Sequence, residues 1–187
     1  MEIAAWLIAL YAIVCIVAYF ANRQFMYFPD PTRVAPENVG LDDLEEIELR
    51  TADGVTLVAW HAPAMEGKRT ILYFHGNGAN AANRAPRIER MHRDGFGVFY
   101  LNNRGYGGSG GRPTEENNVA DAITAYDYLM RLGVSSEKIV AYASRSAQAR
   151  RLGLRQRRPS LQLCWNRHSP QQLMSLGPRI SGCPSAC

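Results

Sequence analysis

The chain has 187 residues, enough for one domain, and a formal net charge of +4. Residues 143–187 hold eight arginines and no acid, so the first 142 residues carry −4. This excludes a nucleic-acid binder inferred from overall basicity, because the positive charge belongs to the last segment alone.

Residues 3–21 (IAAWLIALYAIVCIVAYFA) are 19 positions without a charge, long enough as a helix to cross the roughly 30 Å hydrocarbon core of a bilayer. A cleaved signal peptide and a buried core helix are the rival readings. Only Glu2 stands where a signal peptide has a basic region, and Tyr19 and Phe20 stand where it has small residues. A single-pass anchor over residues 3–21 is therefore expected, with the lipid bilayer as its partner. Arg23 and Arg33 follow the span and Glu2 precedes it, which favours a cytoplasmic domain. Phe25-Met26-Tyr27-Phe28-Pro29 then suits either the membrane boundary or packing on the domain.

Glu46–Arg50 and Val55–Trp60 alternate polar and apolar residues around Asp53-Gly54, which predicts a hairpin. Thr70–Phe74 is a short apolar run of the kind buried on both faces of a sheet. Asn80–Asp94 is a predicted helix closed by Gly95, with Pro86 at an early turn or kink. Phe96–Leu101 is a second buried strand. Thr114 can cap a helix whose apolar positions are Val119, Ala122, Ile123, Tyr126, Leu129 and Met130, stopped by Gly133. Lys138–Tyr142 is a third buried strand. The order hairpin, strand, helix, strand, helix, strand predicts an α/β fold with a largely parallel sheet.

Two glycine-rich loops could carry chemistry. His75-Gly76-Asn77-Gly78 directly follows a strand, and Gly76, Asn77 and Gly78 could turn backbone N–H groups toward an oxyanion. His75 reads as a loop-shaping residue rather than a base. Gly105–Gly110 matches the G-x-G-x-x-G spacing of dinucleotide sites, but Gly111-Arg112-Pro113 delays the helix that should begin there and the strand is not the first. No cofactor and no metal are expected. The four cysteines, at 15, 164, 183 and 187, lack a zinc spacing or a framework and read as unpaired thiols.

Taken together, the uncharged span, the aromatic-Pro boundary, the Asp53-Gly54 hairpin, Tyr73-Phe74-His75-Gly76-Asn77 and Asn103-Arg104-Gly105-Tyr106-Gly107 resemble the α/β-hydrolase superfamily in its membrane-anchored Bem46-like branch. The resemblance covers roughly residues 5–142 and departs at Asn102-Asn103, where such proteins tend to have an acid and an aromatic. It implies serine-dependent hydrolysis of an ester, thioester or amide. A Gly-x-Ser-x-Gly turn should follow the third buried strand, with an acid and a histidine later. The partner it implies, in an intact relative, is a small-molecule acyl substrate.

That turn is missing where it is due. After Tyr142 the chain reads Ala143-Ser144-Arg145-Ser146-Ala147, and from residue 143 on there is no Asp, Glu, Lys, Phe or Tyr. Read with each codon beginning one base earlier, residues 143–147 permit Gly-Glu-Ser-Leu-Gly, with the serine at the place of Arg145. Cys164-Trp165-Asn166 is stricter, because its codons then force Leu-Glu, and the following residues permit Ser-Pro-Phe-Thr-Ser. A one-base loss near codon 143 explains both stretches.

The sequence thus predicts an incomplete α/β-hydrolase fold: an anchor at 3–21, the N-terminal part of a hydrolase domain at 22–142, and an out-of-frame, disordered tail at 143–187. No catalytic residue is intact, and the strand ending at Tyr142 is expected to form an open sheet edge. A replacement nucleophile at Ser109 or Ser144 lacks an identifiable base. The alternative is a non-catalytic anchored protein whose arginines (Arg145, Arg150, Arg151, Arg155, Arg157 and Arg158) bind anionic partners; nucleic acid is not expected.

Overall fold

The computed structural model describes residues 2–78, 81–143 and 162–165. Helix α1 spans Glu2–Met26. Its described side chains, at residues 3 and 6–18, are all exposed, Trp6 and Ile8 among them, as is the free thiol of Cys15. Among the described residues no helix is long and apolar enough to cross a membrane. The side chains of residues 4, 5 and 19–26, within and just after the expected span, lie outside that set.

Six strands form one sheet in the order β1-β2-β4-β3-β5-β6. Strands β1 (Glu45–Arg50) and β2 (Thr56–Ala62) are the expected hairpin, with Gly54 at φ +81° in its turn. A positive φ there is open to glycine at no steric cost. Strand β2 also runs antiparallel to β4 (Gly97–Leu101), while β3 (Thr70–Phe74) lies parallel to both β4 and β5 (Ile139–Ala143).

The central strands are apolar throughout because both faces are covered. Leu72 and Phe74 of β3, Phe99 and Leu101 of β4, and Ala141 of β5 meet helix α3 (Glu115–Arg131) through Ala122, Ala125, Tyr126 and Leu129. The intervening residues, Tyr73, Tyr100 and Tyr142, meet helix α2 (Ala85–Arg93) and its Ile88 and Met91. Each such large buried side chain contributes about 1.5–3 kcal/mol. Strand β4 lies on one side of β3 and β5 on the other, so successive strand-helix units move in opposite directions across the sheet. The two helices accordingly land on opposite faces.

Several expectations need correction. The helix expected over Asn80–Asp94 is a 3-10 turn at Ala82–Arg84 followed by α2, and Pro86 sits in the first turn of α2, where its missing N–H has no partner to lose. The buried stripe of α3 is Asn118, Asp121, Ala122, Ala125, Tyr126 and Leu129, whereas Met130 is 40% exposed. Most importantly, β5 is not an open edge. Residues Val140–Ala143 pair in parallel with β6 (Gln162–Trp165), which lies inside the segment expected to be disordered. The rest of that segment after Ala143, with Ser144 and the arginine run, lies outside the described residues.

Candidate functional site

Strands β3 and β4 are neighbours whose following helices go to opposite faces, and a crevice at the carboxyl ends of such strands is where open α/β sheets bind ligands. The two loops that leave this point are the two singled out in the sequence. They are built into one unit.

His75 is fully buried between them. Its ring stacks on Tyr100 at 5.7 Å and 8° and meets the edge of Tyr106 at 5.1 Å. The Asn103 N–H donates to Nε2 at 3.0 Å, so this nitrogen carries no proton, and Nδ1 lies 2.6 Å from the Gly76 carbonyl. A ring held at both nitrogens by backbone has none to offer a substrate. His75 fastens the β4 loop to the β3 loop.

Past His75, Gly76 is buried, Asn77 half-buried and Gly78 exposed. The Asn77 carbonyl accepts the Tyr106 hydroxyl at 2.5 Å and the Phe28 N–H at 3.1 Å. Among the described residues, the N–H groups of Asn77 and Gly78 have no acceptor. The carbonyl side of the loop is therefore pinned to the protein, and its N–H side makes no hydrogen bond to a described residue.

The β4 loop folds inward. The N–H groups of Gly105, Gly107, Gly108 and Gly110 go to the carbonyls of Ser109, Asp30, Pro31 and Thr56, at 2.8 to 3.2 Å. With these spent and α3 not starting until Glu115, the loop cannot cradle a phosphate as a dinucleotide fingerprint does. A literal Gly-x-Ser-x-Gly string does occur at 107–111, on this loop and not after β5. Its serine, however, is buried: the Ser109 hydroxyl donates to the Asn102 carbonyl at 3.0 Å and accepts the Val58 N–H at 2.9 Å. Both functions of the hydroxyl are occupied by backbone, which rules out Ser109 as an exposed nucleophile. At the unusual Asn102, the side-chain oxygen accepts the Ala81 N–H at 3.2 Å and so ties the β4 loop to the approach to α2.

Arg104 is the electrostatic centre of the loop. Its guanidinium is buried and grips Asp121 of α3 with Nε at 2.9 Å and Nη2 at 2.8 Å. The same group reaches Asp53 in the hairpin turn at 2.5 and 2.9 Å. Asp121 first, then Asp53, raises Arg104 above its ordinary value. In return, Arg104 and then the Thr51 hydroxyl hold Asp53 well below the usual carboxylate range. The hairpin pattern marks Asp53 only as a turn residue and apolar periodicity passes over Asp121; an acid beside the apolar stripe of α3 is the available signal. A cavity of about 400 Å³ lies beside this triad, lined by Asp53, Arg104, Asn117 and Ile123 among others, and none of Gly76, Asn77 and Gly78 lines it.

Comparison with known proteins is consistent with this geometry. No family model matches the chain. It is 41% identical over 106 residues to protein bem46 of Schizosaccharomyces pombe, covering 54% of this chain and 35% of that one. It is 37% identical over 103 residues to the alpha/beta hydrolase domain-containing protein WAV2 of Arabidopsis thaliana, covering 52% and 33%. An uncharacterized protein of Mycobacterium tuberculosis is 30% identical over 141 residues, covering 74% and 50%. The chain thus spans between a third and a half of these relatives. An esterase of Pyrococcus furiosus, 22% identical, superposes with a TM-score of 0.55 over 72% of this chain and 53% of its own, a likeness of fold. With the sheet order, the His75 and Arg104 loops and these relatives in agreement, the chain belongs to the α/β-hydrolase superfamily, in its Bem46-like branch.

Proposed function

We propose that this chain is the N-terminal part of a membrane-anchored serine hydrolase acting on an ester, thioester or amide, and that in its present form it is catalytically silent. One observation carries the reading. Strand β5 lies parallel to β3 with Ala143 opposite Phe74, so the chain leaves β5 level with the start of the His75–Gly78 loop. A nucleophile carried on a turn directly after β5 would then face the N–H groups of Asn77 and Gly78, which would steady the developing oxyanion. A histidine and an acid from elsewhere would move and orient the proton. Gly76, Asn77 and Gly78 are the part of that machinery this chain holds. After β5 the sequence offers Ser144-Arg145-Ser146 in place of Gly-x-Ser-x-Gly.

In this reading residues 3–21 are the anchor, supported by their lack of charge and by the exposed apolar side chains of α1. The domain lies on the cytoplasmic side, as Arg23 and Arg33 favour.

The test is fluorophosphonate labelling of the purified chain beside a chimera that continues after Tyr142 with the remainder of a full-length relative, its serine, acid and histidine included. The present chain is expected to stay unlabelled and the chimera to react stoichiometrically at the serine of the turn after β5. Labelling of the present chain would overturn its silence, and an unreactive chimera that folds would overturn the hydrolase reading.

A further inference from the structure

We propose that the Gly76–Gly78 loop and the adjoining Phe28 sit in the lipid headgroup layer, so that the site is built for an acyl amphiphile of the bilayer and not for a water-soluble ester. The proposal rests on the anchor reading above.

The argument is one of short tethers. Helix α1 ends at Met26, and only Tyr27 separates it from Phe28. One residue spans at most about 3.6 Å. The Phe28 N–H is bonded to the Asn77 carbonyl at 3.1 Å, within the candidate oxyanion loop itself. The next residues are fastened to the other loop, since the Asp30 carbonyl accepts the Gly107 N–H at 2.8 Å and the Pro31 carbonyl accepts the Gly108 N–H at 3.2 Å. Arg33 then closes the strap by pairing with Glu46 and Glu48 of β1, each at 2.7 Å. A Cβ on Gly108 would fall 2.8 Å from the Arg33 stem, so strap and loop are in direct contact.

The end of α1 therefore cannot move away from the Asn77 loop without undoing the strap. If α1 crosses the hydrocarbon over residues 3–21, its last five residues rise only about 7.5 Å further, which brings the loop to the headgroup layer, roughly 5–8 Å thick, at its exit. The Phe28 ring is 65% exposed although its backbone is fixed, which leaves an aromatic ring free at the depth where such rings are favoured. Glycerolipid ester carbonyls occupy the same depth.

The test uses the full chain in phosphatidylcholine vesicles, with a fluorophore on a single cysteine and the other native cysteines replaced by serine. Three positions are compared: native Cys15 in α1, Gly78→Cys, where an added Cβ meets nothing within 4 Å, and Met65→Cys, 66% exposed in the β2–β3 connection at the far end of the sheet. Quenchers are lipids with a nitroxide on the headgroup or deep in the acyl chain. The Gly78 label is expected to lose most of its emission to headgroup nitroxide, the Cys15 label to deep nitroxide, and the Met65 label to neither. Deep quenching at Cys15 without quenching at Gly78 overturns the proposal and leaves the anchor intact. Equal headgroup quenching at Gly78 and Met65 also overturns it, because the domain then has no preferred face. An unquenched Cys15 label removes the anchor reading, and the proposal falls with it.

Discussion

Arg104 and Asp121 form a two-pronged ion pair in which both side chains are almost wholly buried, 4% and 3% exposed. Neither charge has water to fall back on, so each depends on the other. Removing one partner of such a pair costs about 3–5 kcal/mol. Asp121→Ala is expected to lower the unfolding free energy by up to that much, with Asp53 still paired to Arg104. Asp53→Ala should cost less, because its carboxylate is 54% exposed. Far-ultraviolet dichroism during urea titration would decide, and equal losses from the two variants would show that burial is not what makes the pair costly to break.

The loop glycines are not equivalent. Gly107 has φ +53°, and a Cβ there would stand 2.6 Å from the Asn102 side chain, whereas Gly78 has open space. A left-handed backbone costs a side chain about 1–2 kcal/mol before any clash is counted. Gly107→Ala should therefore lower the melting temperature by several degrees and Gly78→Ala hardly at all, a contrast that thermal melts of the two proteins would reveal.

Ser109 separates structure from chemistry. Its hydroxyl serves two buried backbone groups, so Ser109→Ala leaves both unpaired at a cost of about 1–3 kcal/mol. The variant should melt earlier and show the same absence of fluorophosphonate labelling as the parent. Labelling of the parent that disappears in Ser109→Ala would mean that this serine is an active nucleophile.

Stability should depend on pH in two separated steps. Burial holds the His61 imidazole below its ordinary value, against smaller upward pulls from the Val98 carbonyl and Glu45. The folded state then takes up a proton less readily than the unfolded chain, so stability rises with pH. The His61 contribution is complete above about 6.5 and is lost as pH falls below that toward the folded value. Asp53, held low by Arg104 and Thr51, contributes fully above about 3.9 and loses its part only as pH falls further, through its own folded value. His61→Gln should flatten the first step and leave the second, as measured by urea midpoints from pH 7.5 down to about 2.

Much of the fold was legible in short patterns. Thr70–Phe74 and the run ending at Leu101 suit strands with two covered faces and form them, and Thr114 caps α3 as its position suggests, accepting the Asn117 N–H at 3.1 Å. The β6 pairing was hidden because Gln162–Trp165 is only four residues long and sits in an arginine-rich stretch with no strand signature. The stripe of α3 was read slightly rotated, since apolar periodicity does not anticipate an acid drawn inward by Arg104.

By itself the sequence determined the order of strands and helices from β1 to β5, the two glycine loops and the absence of a flanked serine after β5, because these depend on neighbours along the chain. The tertiary structure alone decided that His75 is a fastener, that Ser109 is spent on backbone, and that the segment after α1 is strapped across both loops. Each of those roles includes a hydrogen bond between residues about 30 to 80 positions apart. Such bonds leave no local pattern, because their geometry exists only once the sheet has brought the loops together.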